Sequence, residues 1–513
     1  MADFSAGEWV PFDRPLFSGP DTRRLSRVGV VDVGSNSVRL VVFDGAARSP
    51  AYFFNEKVSC GLGAGMSETG RLNQDGRARA ISAVRRFQTL ADGLGIAPLT
   101  AVATAAVREA EDGPAFREEM ARETGLRLFV IDGQEEARLS AQGVLLGWPD
   151  ASGLVCDLGG SSMEVATLDD GGIGRCDTAR LGPLKLRDMK GGRKGRRAYI
   201  DGELQALMDR MGKLPRRLYL VGGSWRAIAR LDMQRRGYPL KVLHEYRLTP
   251  KNLRATLKWI EKTDLEAQQL ATGISPERMA LVPLAALTLG GVLRRLKPKE
   301  IFVSAYGLRE GLLYQEMPPD LRARDPLIEA CLVAEKKDAR FPGFGRALYA
   351  FLQPLYTRAP KARLRLIKAA CLLHDVIWRA DPDFRPELCF DYVTRANLGG
   401  LSHAERVFLG LALMHRYTNT RESGRFDAML TLLEPREISD AEILGKALRF
   451  GAMFSAQRHE HLGRLRWHPK KRKLVLTIGP VAHTLFGEVA EARFVSLAQA
   501  LQAETEVIVL KAA

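Results

Sequence analysis

The chain has 513 residues, of which 46% are hydrophobic and 27% charged, a composition typical of a folded protein of several domains that excludes the disordered and fibrous classes. Lysine and arginine (76) outnumber aspartate and glutamate (60), and the net charge of +16 favours a polyanionic partner. A basic protein without any such partner is the alternative. The sequence shows no signal-peptide pattern, no apolar run long enough to cross a bilayer and no CxxC pair among six cysteines, so we expect a cytoplasmic location and no membrane partner.

The first structural pattern follows a Pro- and Gly-punctuated segment, 1–26, that we expect to be a loose N-terminal arm. Residues 28–43 read VGVVDVGSNSVRLVVF, which predicts two apolar strands joined by a polar turn that begins at Asp32. A strand at 51–58 and an amphipathic helix at 73–94 come next.

Two further strand–helix steps carry charged residues at the start of the helix. The strand at 99–103 leads into a helix that carries Arg108, and an arginine at this place can meet an anion together with backbone N–H groups. The strand at 126–131 leads into a helix with Glu135 and Glu136 in its first turn. Acids favour helix N-termini for electrostatic reasons alone. Since neighbouring helical residues point about 100° apart, we expect only one of the two glutamates to face a site.

Residues 153–168, GLVCDLGGSSMEVATL, repeat the first hairpin. Sliding one stretch onto the other aligns Asp32 with Asp157, and it aligns Arg39 with Glu164. The repeat predicts two similar lobes, each giving an acid-ended strand and a polar turn to one cleft. Turns rich in N–H groups and hydroxyls beside an acid suit a phosphate together with a divalent cation.

The rest of the chain continues the β/α alternation and then becomes mainly helical. We expect strands at 218–221 and 301–304, and the glycine-broken basic stretch 187–197 predicts a mobile loop. With the basic turn 470–473 it is a candidate track for a long polyanion. The pair His374-Asp375 lacks an upstream histidine after His244, so we expect a buried hydrogen-bonded pair rather than a metal site.

Three motifs in this order resemble those of the exopolyphosphatase/guanosine pentaphosphate phosphatase family, part of the actin-like, sugar-kinase and Hsp70-like superfamily. They are Asp32-Val33-Gly34-Ser35-Asn36-Ser37, Glu135-Glu136-Ala137-Arg138 and Asp157-Leu158-Gly159-Gly160-Ser161-Ser162-Met163-Glu164. The family usually has glycine where Ser161 stands and a small polar residue where Met163 stands. These two differences weaken what the resemblance implies about the detailed geometry of this turn, but not what it implies about the reaction.

The resemblance implies an α/β fold class: two actin-like (ribonuclease H-like) lobes around a cleft, followed by a helical HD-like domain and a small α+β C-terminal region. The expected divisions are the arm 1–26, lobe I 27–137, lobe II 138–316, the helical domain 317–455 and the C-terminal region 456–513.

The implied activity is that of an exopolyphosphatase, which hydrolyses the terminal phosphoanhydride of inorganic polyphosphate and releases orthophosphate. Glu136 is the implied base, with Arg108 as a second catalytic residue. Mg²⁺ is the implied cofactor, on Asp157 and Glu164 with Asp32 as a further candidate. The residues implied for phosphate binding are Ser35, Asn36, Ser37, Gly159, Gly160, Ser161 and Ser162.

The implied partner is inorganic polyphosphate, with a homodimer and without nucleic acid. Guanosine pentaphosphate, hydrolysed at its 5′ terminal phosphate, is the alternative substrate. Two other classes compete: a kinase of the same superfamily, which should carry a nucleoside pocket, and a non-catalytic polyanion-binding protein. The intact acids at 32, 136, 157 and 164 argue against the last of these.

Overall fold

The computed structural model describes residues 11–12, 16–17, 27–45, 47–96, 99–420 and 424–510. They form two compact units, one ending at Arg324 and the other beginning at Asp325. Most of the predicted arm 1–26 lies outside the described residues. In its described part, Phe12 and Leu16 are buried in a core cluster with residues of the first two strands, so this part is not loose.

The first unit begins with a five-stranded sheet whose strand order is β3-β2-β1-β4-β5. Strands β1, β2 and β3 are antiparallel neighbours, whereas β4 and β5 continue the sheet in parallel with β1. The strands are β1 Val28–Val33, β2 Ser37–Phe43, β3 Tyr52–Ser59, β4 Thr100–Ala103 and β5 Leu128–Val130. The helices are α1 Met66–Thr69, α2 Gln74–Gly93, α3 Ala105–Glu109, α4 Gly113–Thr124 and α5 Gly133–Gly147.

A six-stranded sheet follows, with the order β10-β11-β9-β6-β7-β8. Its strands are β6 Gly153–Leu158, β7 Met163–Asp169, β8 Gly172–Ala179, β9 Arg217–Val221, β10 Tyr246–Leu248 and β11 Glu300–Val303. Its helices are α6 Pro183–Arg187, α7 Gly192–Met211, α8 Gly223–Arg236, α9 Pro250–Ile260, α10 Gln269–Thr272, α11 Pro276–Met279, α12 Val282–Arg295, α13 Leu308–Glu316 and α14 Pro319–Arg322. The predicted α/β fold class is confirmed, and both sheets prove to be mixed.

The internal repeat is also confirmed, because the two hairpins pair in the same register. In β1–β2, Asp32 lies opposite Arg39, and in β6–β7, Asp157 lies opposite Glu164. Each hairpin also pairs in parallel with the next β-strand of its own sheet, β4 or β9. Both acid-ended strands therefore occupy equivalent places in their sheets.

Helices α5 and α13 cross at very short range. A Cβ on Gly311 would lie 1.8 Å from the carbonyl oxygen of Leu139, and a Cβ on Gly143 would lie 2.2 Å from that of Gly307. Twelve of the 15 residues of α5 are buried, in a core that combines residues of both sheets. The expected division at 137/138 falls inside this helix, which is shared by the two lobes.

The basic stretch 187–197, predicted to be a mobile loop, belongs largely to helices, and that prediction is wrong. Residue 187 ends α6, and α7 begins at Gly192 after Gly191, whose φ of +94° suits glycine. The guanidinium of Arg196 donates to the carbonyl oxygens of Leu186 and Arg187 at 2.8 and 3.2 Å. This one arginine therefore satisfies two C-terminal carbonyls of α6 and stabilises the turn between the two helices.

One segment, 276–295, has the length and composition of a membrane-crossing helix. On that criterion alone, the expectation that no apolar run is long enough is wrong. Of its most apolar part, 61% is buried inside the protein. Ala285, Leu289 and Val292 belong to the core under the six-stranded sheet, which accounts for the apolar composition.

The second unit is mainly helical and includes a three-stranded sheet of order β12-β13-β14. Its helices are α15 Pro326–Asp338, α16 Phe344–Leu352, α17 Lys361–Leu373, α18 Arg385–Arg395, α19 His403–His415, α20 Asp427–Leu430, α21 Pro435–Phe454, α22 Pro480–Leu485 and α23 Glu488–Ala500. Its strands are β12 Arg464–His468, β13 Lys473–Ile478 and β14 Glu504–Val509, and its 3₁₀ turns are Gln353–Tyr356, His459–His461 and Pro469–Lys471. One hydrophobic core contains residues of both the helices and the sheet.

His374 and Asp375 are both buried, as predicted, but they are not hydrogen-bonded to each other. The Nδ1 of His374 lies 2.8 Å from the carbonyl oxygen of Cys371, while Arg340 donates to both carboxylate oxygens of Asp375. Burial lowers the pKa of His374 to about 4, with a further contribution from the charge of Arg416. The imidazole is therefore neutral at physiological pH.

The crossing of α5 and α13 predicts that Gly311→Ala is strongly destabilising. The new methyl group would overlap the Leu139 carbonyl, and overpacking of this kind costs about 1–3 kcal/mol in free energy of unfolding. Gly202→Ala in α7 is the matched control, since that glycine is exposed and no atom lies near its Cβ position. We expect the control to gain about 0.5–1 kcal/mol from helix propensity. Equal denaturant midpoints for the two variants would contradict the crossing.

Candidate active site

The turns of the two hairpins meet at a cleft of about 320 Å³ in the first unit. Its polar and charged lining side chains are Asp32, Ser35, Asn36, Ser37, Arg39, Lys57, Thr104, Glu136, Asp157, Ser162, Arg226, Arg278 and Arg309. Backbone of Gly34, Gly159, Gly160, Gly222, Gly223 and Gly307 completes much of the wall. The structure therefore brings most of the sequence-predicted site residues together.

The two turns touch each other at serine residues. The Ser161 hydroxyl lies 3.2 Å from the Ser35 hydroxyl, and a Cβ on Gly160 would lie 3.2 Å from the Ser35 Cβ. Ser161, which stands where the family usually has glycine, thus directs its hydroxyl to the opposite turn. It does not line the cleft, and neither do Arg108 and Glu164.

Helix α5 places its two N-terminal glutamates differently, as the helical geometry predicts. Glu136 is 8% exposed and reaches the cleft, where Arg108 donates to its Oε2 at 3.2 Å. Arg108 also donates to the carbonyl oxygen of Ile131, so it holds the glutamate rather than facing the cleft. Glu135 instead forms two hydrogen bonds with Arg138, at 2.7 and 2.5 Å.

The second hairpin contributes two acids, the half-buried Asp157 and the buried Glu164. Asp157 lines the cleft and accepts a short hydrogen bond from Ser140, which lies one turn after Glu136 on α5. Glu164, 1% exposed, accepts from the Thr178 hydroxyl at 3.1 Å through Oε1. Its Oε2 is buried without a hydrogen-bond partner among the described residues. A buried, unpaired carboxylate oxygen is costly and points to a missing cation or donor.

Burial and mutual repulsion raise the pKa of these acids. For Glu136, burial and then the charge of Glu164 raise the pKa well above its usual value, while Arg108 opposes the change. The pKa of Glu164 is raised by burial and by Asp157, and that of Asp157 by burial and by Asp32. Four acids held this closely favour a site that receives positive charge.

Asp32, near the end of β1, forms an ion pair with an arginine of α13, the helix that follows β11. Arg309, in the first turn of α13, is 3.5 Å from its Oδ2. The neighbouring Glu310 accepts from the Gly307 N–H at 2.7 Å and from the Tyr52 hydroxyl in a short hydrogen bond. These bonds fix the loop before α13 against the first sheet.

Five cations in the cleft were not predicted from the sequence: Arg39, Lys57, Arg226, Arg278 and Arg309. Burial and then repulsion from Arg309 lower the pKa of Arg39 to about 10. The pKa of Lys57 is likewise lowered, first by burial and then by Arg278. Cations that lower one another's pKa favour binding of a multiply charged anion. For Arg39 the sequence carries a signal, because the short turn of the first hairpin sets a register in which Arg39 lies opposite Asp32.

Backbone N–H groups add to the positive character of the wall. Helix α8 starts at Gly223 after Gly222, without a side-chain cap, and both glycines line the cleft. A Cβ on Gly222 would lie 2.8 Å from Asp157 Oδ1, so only glycine fits there. An uncapped helix N-terminus offers free N–H groups to an anion.

The acids around the cleft fit a magnesium ion better than a metal held by protein ligands alone. Among the described residues, no group of three His, Cys, Asp or Glu side chains has the arrangement of a closed metal site. Mg²⁺ usually binds one or two carboxylates together with waters and substrate phosphates. Asp157 and the unpartnered Oε2 of Glu164 supply hard oxygen atoms of that kind.

Two sequence families match this chain. The Ppx/GppA phosphatase family matches residues 41–320, more than half of the chain, and the family described as exopolyphosphatase, C-terminal, matches residues 352–508. The first match contains the second hairpin and the helix that carries Glu136; the second lies within the mainly helical unit.

Individual relatives agree with these matches. Exopolyphosphatase 1 of Mycobacterium tuberculosis is 28% identical over 307 residues, 57% of this chain and 88% of its own length. Retrograde regulation protein 2 of Saccharomyces cerevisiae is 25% identical over 454 residues, 78% of this chain and 74% of its own.

Among solved structures, an exopolyphosphatase from Cytophaga hutchinsonii superposes with a TM-score of 0.52 at 25% identity. The match covers 57% of this chain and 98% of that one. The predicted family resemblance and enzyme class, a phosphoanhydride hydrolase, are confirmed. The chain belongs to the Ppx/GppA phosphatase family.

Proposed function

We propose that this protein is an exopolyphosphatase, which hydrolyses the terminal phosphoanhydride of inorganic polyphosphate with water oriented by Glu136. One observation carries the proposal: a buried carboxylate with a raised pKa lies in the same small cleft as five cations. A terminal phosphoryl group bound by the cations would present its phosphorus to water held by that carboxylate.

The reaction needs alignment and charge neutralisation more than covalent chemistry. The hydroxyls of Ser35, Ser37 and Ser162 and the N–H groups at the start of α8 would bind the terminal phosphoryl oxygens. Arg39 and Arg309 would neutralise charge that develops on the group in transfer. Glu136 would accept the proton of the attacking water, with its carboxylate oriented by Arg108.

The proposed cofactor is Mg²⁺, held by Asp157 and Glu164 directly or through water, with Asp32 as a weaker candidate because Arg309 already pairs with it. When bound, the ion would neutralise the bridging and terminal phosphate oxygens. Its charge would also lower the pKa of the neighbouring acids toward their usual values.

The composition of the cleft favours polyphosphate over guanosine pentaphosphate. Within the described residues, the lining includes no aromatic side chain on which a base could stack, and it is instead rich in guanidinium groups. Guanosine pentaphosphate remains the alternative substrate, since its terminal phosphate is chemically the same target. The homodimer and the cytoplasmic location stay predictions.

The proposed base predicts different effects for two adjacent glutamates. Glu136→Gln should lower kcat by about 10²–10⁴-fold, the usual worth of a positioned acid–base group, while substrate binding persists. Glu135→Gln removes only a half-buried ion pair with Arg138 outside the cleft and should change kcat less than about threefold. Phosphate release from tripolyphosphate measures both, and equal losses would contradict the assignment.

The Arg108–Glu136 contact predicts a shift in pH dependence. Arg108 lowers the pKa of Glu136, so Arg108→Gln should raise that pKa further. Because the base must be ionised, the acid limb of kcat/KM should move to higher pH at fixed Mg²⁺. Arg122→Gln on α4, which removes an exposed arginine, is the control and should leave the limb in place. An unchanged limb in the Arg108 variant would refute the role.

The acids of the second hairpin predict metal dependence. Asp157→Asn and Glu164→Gln should each raise the Mg²⁺ concentration for half-maximal activity by about 10–100-fold. Asp169→Asn, at the exposed end of β7, should not change it. Full activity of the unsubstituted enzyme in excess EDTA would exclude the metal.

Substrate choice is tested by comparing phosphate release from long polyphosphate, guanosine pentaphosphate and ATP in parallel. We expect the highest kcat/KM for polyphosphate. A higher value for guanosine pentaphosphate would replace the proposal by its alternative, and preference for ATP would contradict both.

A further inference from the structure

Helix α18 of the second unit has an apolar face that the described part of the chain leaves exposed. Phe384, which directly precedes the helix, is 58% exposed, and Leu388 and Tyr392 are 43% and 36% exposed. Their spacing of four residues places the three side chains in one row along the helix. We call this row the outer stripe. Large apolar side chains exposed side by side are typical of an interaction surface.

The opposite face of α18 already fixes the helix in its unit. Cys389, Phe390 and Val393 are buried, and the rings of Phe390 and Phe426 lie 4.1 Å apart. A Cβ on Gly410 of α19 would lie 3.2 Å from the Phe390 ring, so the two helices pack closely on this side. The outer face of such a surface helix is normally polar. The core of the unit therefore gives no reason for the apolar outer stripe.

The outer stripe is symmetric about its middle residue. Phe384 stands four residues before Leu388, and Tyr392 stands four residues after it. If two copies of α18 lie antiparallel with Leu388 facing Leu388, Phe384 of each copy lies level with Tyr392 of the other. A twofold axis generates this arrangement, because it uses the same surface on both copies.

Charged residues at the two ends of the stripe match the same axis. Asp381 stands seven residues before Leu388 and Arg395 seven residues after it, and both are exposed. Seven residues make about two helical turns, so both lie close to the face of the stripe. The N–H groups of Phe384 and Arg385 each donate to the carbonyl oxygen of Asp381 at 3.1 Å, which extends the helical path back to this acid.

These charges distinguish between the two ways of pairing the helices. Antiparallel copies place Asp381 of one beside Arg395 of the other, and they do so at both ends of the contact. Parallel copies would instead bring acid to acid and arginine to arginine, which is unfavourable. The charge pattern therefore favours the antiparallel arrangement that the apolar residues also fit.

We propose that the outer stripe is a contact between two copies of this chain, with the α18 helices antiparallel about a twofold axis at Leu388. An apolar centre with charged ends is the usual composition of a protein interface. Three apolar side chains per copy are few for a permanent interface, so we expect monomer and dimer to exchange at micromolar concentrations. The proposal does not rest on the function proposed for the cleft.

The first test places a charge on the axis, where a residue meets its own copy. Leu388→Lys and Leu388→Glu should each weaken the dimer of the full-length protein at least about tenfold, because like charges face each other. An equimolar mixture of the two variants should dimerise again, since lysine then faces glutamate. Sedimentation equilibrium over a range of concentrations measures all three samples. Undiminished dimerisation of either variant alone, or failure of the mixture to dimerise, would overturn the proposal.

Val489→Lys is the matched control for these variants. Val489 lies on α23 of the same unit and is 60% exposed, so the substitution adds a charge at an exposed apolar residue outside the outer stripe. We expect an unchanged dissociation constant. Equal weakening by Val489→Lys and Leu388→Lys would show a general effect of charge and would contradict the assigned contact.

The second test reverses the charges at the ends of the stripe. Asp381→Arg and Arg395→Asp should each weaken the dimer, and the two together should restore it, because the contact is then rebuilt with opposite signs. Arg395 also pairs with Asp391 of its own helix, so thermal melting of each variant checks that the unit remains folded. A combined loss equal to the sum of the single losses would overturn the antiparallel register.

The unsubstituted protein decides which occupant covers the stripe. A monomer at the highest soluble concentration would leave the outer stripe to a different protein and would overturn the proposal. A dimer that persists in all the α18 variants would show that the copies meet at another surface, and it would overturn the proposal as well.

Discussion

The close crossing of α5 and α13 is the constraint on which the rest of the first unit depends. Both helices begin at the cleft: α5 carries Glu136 in its first turn, and α13 carries Arg309 and Glu310 in its own. Backbone contacts through glycine leave no room for either helix to slide. The separation between the carboxylate and the arginine is therefore set by backbone packing rather than by flexible side chains.

Around this crossing the cleft separates charge into two groups. Asp157, Glu164 and Glu136 repel one another, as do Arg39, Arg278 and Lys57. Like charges within each group repel one another. The acids attract cations, and the arginines and lysine attract anions. A ligand that combines a cation with a polyanion carries both kinds of charge, and the side chains of the cleft are already arranged to meet it.

The sequence predicted the parts of the site that are built locally. The two hairpins and their shared register follow from strand alternation and glycine turns. Helical periodicity predicts that only one of Glu135 and Glu136 faces the site, and the family resemblance implies that it is Glu136. The cations Lys57, Arg226 and Arg278 come from distant elements, and only tertiary packing brings them to one wall. The helices within 187–197 are not evident from the charge pattern, because that pattern does not show that Arg196 binds the last carbonyl oxygens of α6.

The crossing also has a consequence for the order in which the chain folds. During synthesis α5 leaves the ribosome about 160 residues before α13, a delay of roughly 8–30 s at ordinary rates of translation. Throughout that interval its apolar face has no permanent partner from α13. Until α13 packs on α5 through Gly311 and Leu139, the nascent first lobe can therefore bind chaperones or aggregate.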